Sequence, residues 1–160
     1  MSFPLPIPAH AGAIGQLARS FVADSVVPLE QEAFTEGVTD ELRVRLQRSA
    51  AAIGLLAPQA PVEYGGGGAD FLTSAVLLEE AGYSPLGPLP MNCAAPDEGN
   101  THLLAVIGTA EQKERYLRPL VSGEMRSWSA MTEPLPGGRI RSGRAGLDGS
   151  QGGRRMAAER

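Results

Sequence analysis

Residues 14–22 read Ile-Gly-Gln-Leu-Ala-Arg-Ser-Phe-Val, and this stretch decides the fold class. Apolar side chains recur along it at i, i+3, i+4, i+7 and i+8, namely Ile14, Leu17, Ala18, Phe21 and Val22. This spacing lines one face of an amphipathic α-helix, whereas a strand would alternate apolar and polar side chains. Pro28 is predicted to end the helix, because a proline disfavours helical backbone at the preceding residue.

Two further stretches predict helices with recognisable ends. One runs from a Thr39/Asp40 cap to Gly54, with an apolar side chain on every turn. The other runs from Asp70 to Gly82. The prolines and glycines between these helices predict loops and turns rather than strands.

The second half of the helical region is predicted to hold a longer and a shorter helix. The longer one begins near Pro96, a favourable residue for a first turn, and ends at Gly108. Its inward face is predicted to contain Asn100, Leu103, Leu104 and Ile107. Thr109 and Gln112 have the spacing of a capping box, and the short helix that they open is predicted to present Tyr116, Leu117 and Leu120 to a core.

The pattern changes after residue 125. Trp128, Ala130 and Thr132 alternate with Ser127, Ser129 and Met131, which predicts a strand. Residues 135–160 contain seven glycines, six arginines and no aromatic residue, a composition typical of disorder. We therefore expect an extended N-terminus over 1–9, an all-α domain over 10–125, the first strand of a β-domain over 126–134, and a disordered tail over 135–160.

The charge distribution argues against nucleic acid as a partner. Residues 1–134 carry 8 basic and 16 acidic side chains, while residues 135–160 carry 6 basic and 2 acidic ones. An acidic globular part repels a phosphate backbone, and the arginines of the tail are scattered without aromatic residues for base stacking.

No apolar run is long enough for a membrane helix, and the N-terminus lacks the features of a signal peptide. A single cysteine, Cys93, excludes an intrachain disulfide, so we expect a cytoplasmic protein.

Several residues that could carry chemistry have a simpler structural interpretation. Gly65–Gly68 lacks the Lys-Ser/Thr of a phosphate-binding loop and is predicted to form a tight turn. Glu79 and Glu80 are adjacent on a helix and point about 100° apart, so one is expected on a solvated face and the other at a helix contact. His10, His102 and Cys93 have no ligand-spaced partners, and no metal site is predicted. The polar loop Asn92–Asn100 either lines a ligand cleft or only leads into the next helix.

Five blocks of sequence together resemble flavin-dependent acyl-CoA dehydrogenases. They are Val62–Gly66, Leu78–Gly82, Gly108–Leu117, Gly123-Glu124 and Ala130–Pro134, which occur in the order seen in that family. The loop Ala95–Asn100 resembles the branch of longer-chain and multidomain members. The resemblance covers roughly residues 10–134 and implies an N-terminal helical domain, to be followed by a β-domain and a C-terminal helical bundle.

The resemblance also implies the chemistry and its site. Family members use FAD to remove the α-proton and the β-hydride of an acyl-CoA thioester, an oxidoreductase reaction on a CH–CH group within fatty acid metabolism. Ser129, Met131 and Thr132 are the implied flavin contacts. Glu133 is assigned a structural role, because the catalytic base of the family lies in the C-terminal bundle. No catalytic residue is therefore assigned, while acyl-CoA and a homo-oligomer are the implied partners.

The sequence departs from the family pattern after Pro136-Gly137. The family continues to Gly-Ser-Asp, and a single-base deletion within suitable codons for Gly138–Arg144 would restore that continuation. We therefore expect a truncated family member, frameshifted after about residue 137 through a sequencing error or a genuine frameshifted gene, that is inactive alone. The alternative is a helical interaction module, or an accessory subunit, that docks on a full-length dehydrogenase.

Overall fold

The computed structural model describes residues 6–129, and the regular elements within that range are all helical, as predicted. The α-helices are α1 (Ala9–Phe21), α2 (Glu30–Glu36), α3 (Asp40–Ala52), α4 (Phe71–Ala81), α5 (Asp97–Ile107), α6 (Ala110–Gln112) and α7 (Arg118–Val121). Two π-helical segments, Val22–Val26 and Lys113–Leu117, extend α1 and join α6 to α7. Short 3-10 turns occupy Val27–Leu29 and Val62–Tyr64.

The predicted end of the first helix at Pro28 is wrong. The chain stays helical from α1 through the π-helical segment and the 3-10 turn into α2, and Val27 keeps helical dihedral angles of φ −51° and ψ −42°. Pro28 lies in the 3-10 turn, at a position where its missing N–H costs little. Buried Val22 and Val26 hold this path against the core, which outweighs the local preference at Val27.

Helices α3 and α4 begin where their capping residues predict. The Thr39 side chain accepts a hydrogen bond from the Leu42 amide at 3.2 Å. Asp70 accepts one from the Thr73 amide at 2.8 Å. Each side chain satisfies an amide that the first helical turn leaves without a partner, so these two starts follow from local chemistry.

The main hydrophobic core lies beside the contact between α1 and α4, and α3 contributes buried side chains to it. Gly15 makes the close approach of α1 to α4 possible, since a Cβ atom there would lie 2.5 Å from Val76 Cγ1. Around this contact, apolar side chains from the first four α-helices and the following turns are fully or nearly buried: Ala18, Phe21, Val22, Val26, Ala33, Leu42, Leu46, Ala50, Leu55, Leu77, Ala81, Leu86, Met91 and Cys93.

The predicted inward face of α5 is wrong in part. Leu103 is 52% exposed and Ile107 is 70% exposed, whereas Leu104 packs on a second, smaller core around Leu117 and Val121. Leu120 is also buried, but Tyr116 of the same predicted set is exposed. Among the described residues, only one side of the apolar face of α5 packs against another element. The spacing of apolar residues predicts that a helix has an apolar face, but it does not tell whether another element covers that face.

The remaining predictions concern the two ends of the chain. Residues 6–8 precede α1 without regular structure, and residues 126–129 of the predicted strand also have no regular secondary structure. The rest of that strand and the tail over 135–160 lie outside the described residues. Within residues 6–129, no helix is long and apolar enough to cross a bilayer.

Candidate functional site

The first residue of α5 anchors the segment that follows the last helix. Asp97 is 4% exposed, and its Oδ1 accepts hydrogen bonds from the Ser127 amide at 2.6 Å and the Ser127 hydroxyl at 2.7 Å. Its Oδ2 accepts a longer bond from Arg126 Nε at 3.3 Å. Hydrogen bonds to an ionised acceptor are stronger than those between neutral groups. Asp97 therefore fixes the point at which the chain leaves the helical domain.

Asn100 strengthens the same anchor one turn further along α5. Its Nδ2 donates to Ser127 Oγ at 2.8 Å, while that hydroxyl donates to Asp97. The Ser127 hydroxyl thus acts as both acceptor and donor, which fixes its rotamer. Asp97 and Asn100, both in the first turns of α5, therefore hold Ser127 together.

Beside this anchor lies a cleft of about 330 Å³. Its walls are mostly apolar, and the Trp128 side chain stands on its rim, 79% exposed. The lining residues come from α5, the α6–α7 region and the segment after it: Asn100, Leu103, Leu104, Tyr116, Leu120, Met125, Arg126, Ser127 and Trp128. Such a surface suits one side of an apolar group that carries a polar edge.

A buried polar network holds the turn that leads into this segment. Arg43 Nη1 donates to Gln47 Oε1 at 2.6 Å and to the Gly123 carbonyl at 2.9 Å. Asn92 Nδ2 donates to the Leu120 carbonyl at 2.8 Å. Burying these polar groups is tolerable because each is hydrogen-bonded. The network makes α3 a rigid support for the end of α7.

The glycine loop offers no cradle for a phosphate. The amides of Gly65, Gly66, Gly67 and Gly68 donate to backbone carbonyls of the same loop, at 2.9 to 3.1 Å. A phosphate-binding loop needs amides that point outward and lack protein partners. The prediction of a tight structural turn is therefore confirmed.

The adjacent glutamates also match their structural interpretation. Glu80 receives two hydrogen bonds from the Arg19 guanidinium of α1, at 2.6 and 2.8 Å, whereas Glu79 is exposed. The pairing with Glu80 raises the pKa of Arg19. The pair therefore links two helices and leaves only one carboxylate to solvent.

The remaining candidates do not form a reactive centre. His10 lies in α1 and its Nε2 is 3.3 Å from Asp70 Oδ2. Cys93 is buried, which raises the pKa of its thiol to about 12, so the reactive thiolate is scarce at neutral pH. Within residues 6–129, His102 and the other possible ligands form no group of three that could hold a metal ion.

Of the three predicted flavin contacts, the structure describes only Ser129, and it shows an anchor on Asp97 that sequence reasoning missed. Ser129 is exposed at the end of the described residues, and Met131 and Thr132 lie outside them. Asp97 and Asn100 belong to the polar stretch Asn92–Asn100, for which the sequence alone allows two interpretations. The acidic residue in the first turn of α5 was a visible signal, but its partner lies 30 residues away.

Comparison with known proteins gives consistent matches. Residues 9–124 match the family model described as "Acyl-CoA dehydrogenase, N-terminal domain". The chain is 47% identical over 64 residues to the Mycobacterium tuberculosis protein named "Probable acyl-CoA dehydrogenase FadE2", covering 39% of this chain and 16% of that protein. It is 37% identical over 125 residues to mouse acyl-CoA dehydrogenase family member 10, and this match covers 71% of this chain and 12% of that protein.

A solved structure gives the same result at the level of the fold. The Bacillus anthracis acyl-CoA dehydrogenase in complex with FAD superposes with a TM-score of 0.67 at 26% identity, over 83% of this chain and 22% of that one. The chain thus spans less than a quarter of the length of each of these three proteins. With a family model that matches most of its length, the chain belongs to the acyl-CoA dehydrogenase family, through that family's N-terminal domain.

Proposed function

We propose that this chain serves an FAD-dependent α,β-dehydrogenation of an acyl-CoA thioester. The observation that carries the proposal is the anchor of Ser127 on Asp97 and Asn100, which lies beside an apolar cleft lined in part by Trp128. The proposal includes fatty acid metabolism as the setting, the cytoplasm as the compartment and a homo-oligomer as the assembly.

Ser129, Met131 and Thr132 are the residues that would hold the flavin. Ser129 is exposed, and the cleft lined by Trp128 is mostly apolar, with Asn100 and Arg126 among its polar lining residues. This donor set suits a planar apolar ring with a hydrogen-bonding rim, so the described residues fit one wall of a flavin site. Bound FAD would supply the acceptor for the hydride from the β-carbon.

Among the described residues that line the cleft, none is an Asp or Glu that could act as the base. Asp97 is the acidic residue beside the cleft, and both of its oxygens accept hydrogen bonds from Arg126 and Ser127. A general base must reach the proton that it removes. We therefore propose that these 160 residues alone do not dehydrogenate an acyl-CoA.

The test is the purified 160-residue protein mixed with FAD and then with an acyl-CoA. We expect FAD to bind, with quenching of flavin fluorescence, and the visible flavin absorbance to stay unchanged when the thioester is added. Bleaching by the substrate would overturn the proposed inactivity. Absence of any FAD binding would contradict the flavin site.

A second function is favoured by the exposed side of α5. Leu103, Val106 and Ile107 present apolar side chains to solvent, a surface that a larger dehydrogenase could cover. In this alternative the chain is an interaction module or accessory subunit. It predicts a colourless protein that co-purifies with a co-expressed full-length dehydrogenase of the family, and that Leu103→Gln with Ile107→Gln abolishes this association.

A further inference from the structure

We infer that Asp97 is a positioning residue that orders the segment from Arg126 to Trp128, immediately before the implied flavin contact Ser129. The inference rests on the proposed function, in which Ser129 contacts FAD. Asp97 itself is buried, and its described hydrogen bonds come from Arg126 and Ser127. Its role is to hold Ser127 and thereby to order the adjoining Trp128.

The hydrogen bonds to Asp97 show why this carboxylate is more than a helix cap. An aspartate in a first helical turn commonly stabilises the amides of its own helix. Here the described hydrogen bonds to its side chain come instead from Arg126 and Ser127, 29 and 30 residues further along the chain. Burying a carboxylate costs free energy unless hydrogen-bonding partners compensate for the lost water. Arg126 and Ser127 provide these partners for Asp97, which explains why it can be buried at the start of α5.

Removing the carboxylate would release the segment that follows Met125. The nearest backbone anchor before it is the Met125 amide, which donates to the Pro119 carbonyl at 3.0 Å. Beyond that point Ser127 is held by Asp97 and by Asn100. If FAD binds only to the ordered segment, a smaller ordered fraction weakens its apparent affinity in proportion.

The single tryptophan of the chain reports on this segment directly. Trp128 adjoins Ser127, so its time-resolved fluorescence anisotropy measures local motion without any cofactor. The variants are Asp97→Ala, Asp97→Asn and Ser127→Ala in the 160-residue protein. Glu98→Ala is the matched control, because it removes a carboxylate from the same helical turn without disturbing the bonds to Ser127.

We expect the amplitude of fast Trp128 motion to rise at least about twofold in Asp97→Ala and less in Ser127→Ala. Asp97→Asn should recover most of the order, since an amide oxygen still accepts from Ser127. Glu98→Ala should match the wild type. Unfolding curves measured in parallel restrict the comparison to temperatures at which each variant is folded.

Titration with FAD gives the second measurement. We expect Asp97→Ala to raise the Kd for FAD at least about tenfold over wild type, and Glu98→Ala to leave it unchanged. Unaltered Trp128 anisotropy in both Asp97→Ala and Ser127→Ala would overturn the inference. A wild-type protein that binds no FAD would contradict the proposed function instead, and Trp128 would still decide the role of Asp97.

Discussion

Gly123 combines a backbone and a packing requirement at one turn. Its φ of +76° is strained for other residues, and a Cβ atom there would lie 2.5 Å from Gln47 Oε1. We expect Gly123→Ala to lower the free energy of unfolding by about 1–3 kcal/mol in urea titrations. Gly12→Ala is the control, since a Cβ atom at that exposed position of α1 meets nothing within 4 Å. Equal effects of the two substitutions would contradict the interpretation.

The Cys93 thiol should react only when the protein opens. Burial raises the pKa of this thiol to about 12, above the value of an unfolded cysteine, so its protonated form is favoured in the folded state. The contribution to stability is present below the unfolded pKa and is lost as pH rises toward 12. We expect a chromogenic disulfide reagent to label the native protein at pH 8 far more slowly than the guanidinium-unfolded protein. Similar rates would show that the thiol is accessible.

The cap of α4 should make stability depend on acid pH. Hydrogen bonding to the Thr73 amide lowers the pKa of Asp70, so its stabilising effect is full above the unfolded pKa and is lost as pH falls through the folded value. We expect Asp70→Ala to be most destabilising near pH 7 and less so below about pH 4.

Thr39→Ala is the matched control for this experiment. It removes the uncharged cap of α3, and its effect on the free energy of unfolding should not vary with pH. Thermal unfolding at several pH values measures both variants. If Asp70→Ala lowered the free energy of unfolding by the same amount at pH 7 and at acidic pH, the lowered pKa of Asp70 would be contradicted.

At the scale of elements, the contact between α1 and α4 depends on the pair Gly15 and Val76. A methyl group at Gly15 would collide with Val76 Cγ1, and we expect Gly15→Ala to cost about 1–3 kcal/mol of unfolding free energy. In a Val76→Ala background the same substitution should be neutral or stabilising, because the space is free and alanine favours a helix. Additive effects in this double-mutant cycle would mean that the helices do not meet there.

The elements also show how far the sequence predicts this fold. The starts of α3, α4 and α6 follow from Thr39, Asp70 and Thr109, because capping is a contact within one turn. Continuation of the helical path past Pro28 depends on burial of Val22 and Val26, which local preferences do not contain. The anchor of Ser127 on Asp97 joins residues 30 apart. Pattern reasoning identified both segments but had no means to pair them.

At the scale of the whole molecule, apolar side chains on α5 predict self-association. Leu103, Val106 and Ile107 are exposed on one helix, and a contiguous apolar surface of this kind favours contact with another molecule. We expect sedimentation velocity of the 160-residue protein to show association that increases with concentration. Leu103→Gln combined with Ile107→Gln should weaken it on the order of tenfold or more in Kd, because two buried side chains would be lost from the contact.

The matched control for this prediction replaces apolar side chains that are exposed elsewhere. Phe34 and Val38 lie at and just after the end of α2, and both are exposed. Phe34→Gln with Val38→Gln removes a similar amount of exposed apolar surface, so general hydrophobicity would weaken association equally in both double variants. A contact through α5 instead requires that only the Leu103 and Ile107 variant associates more weakly than the wild type. Equal behaviour of the two variants, or a wild type that stays monomeric at all concentrations, would show that α5 is not the associating surface.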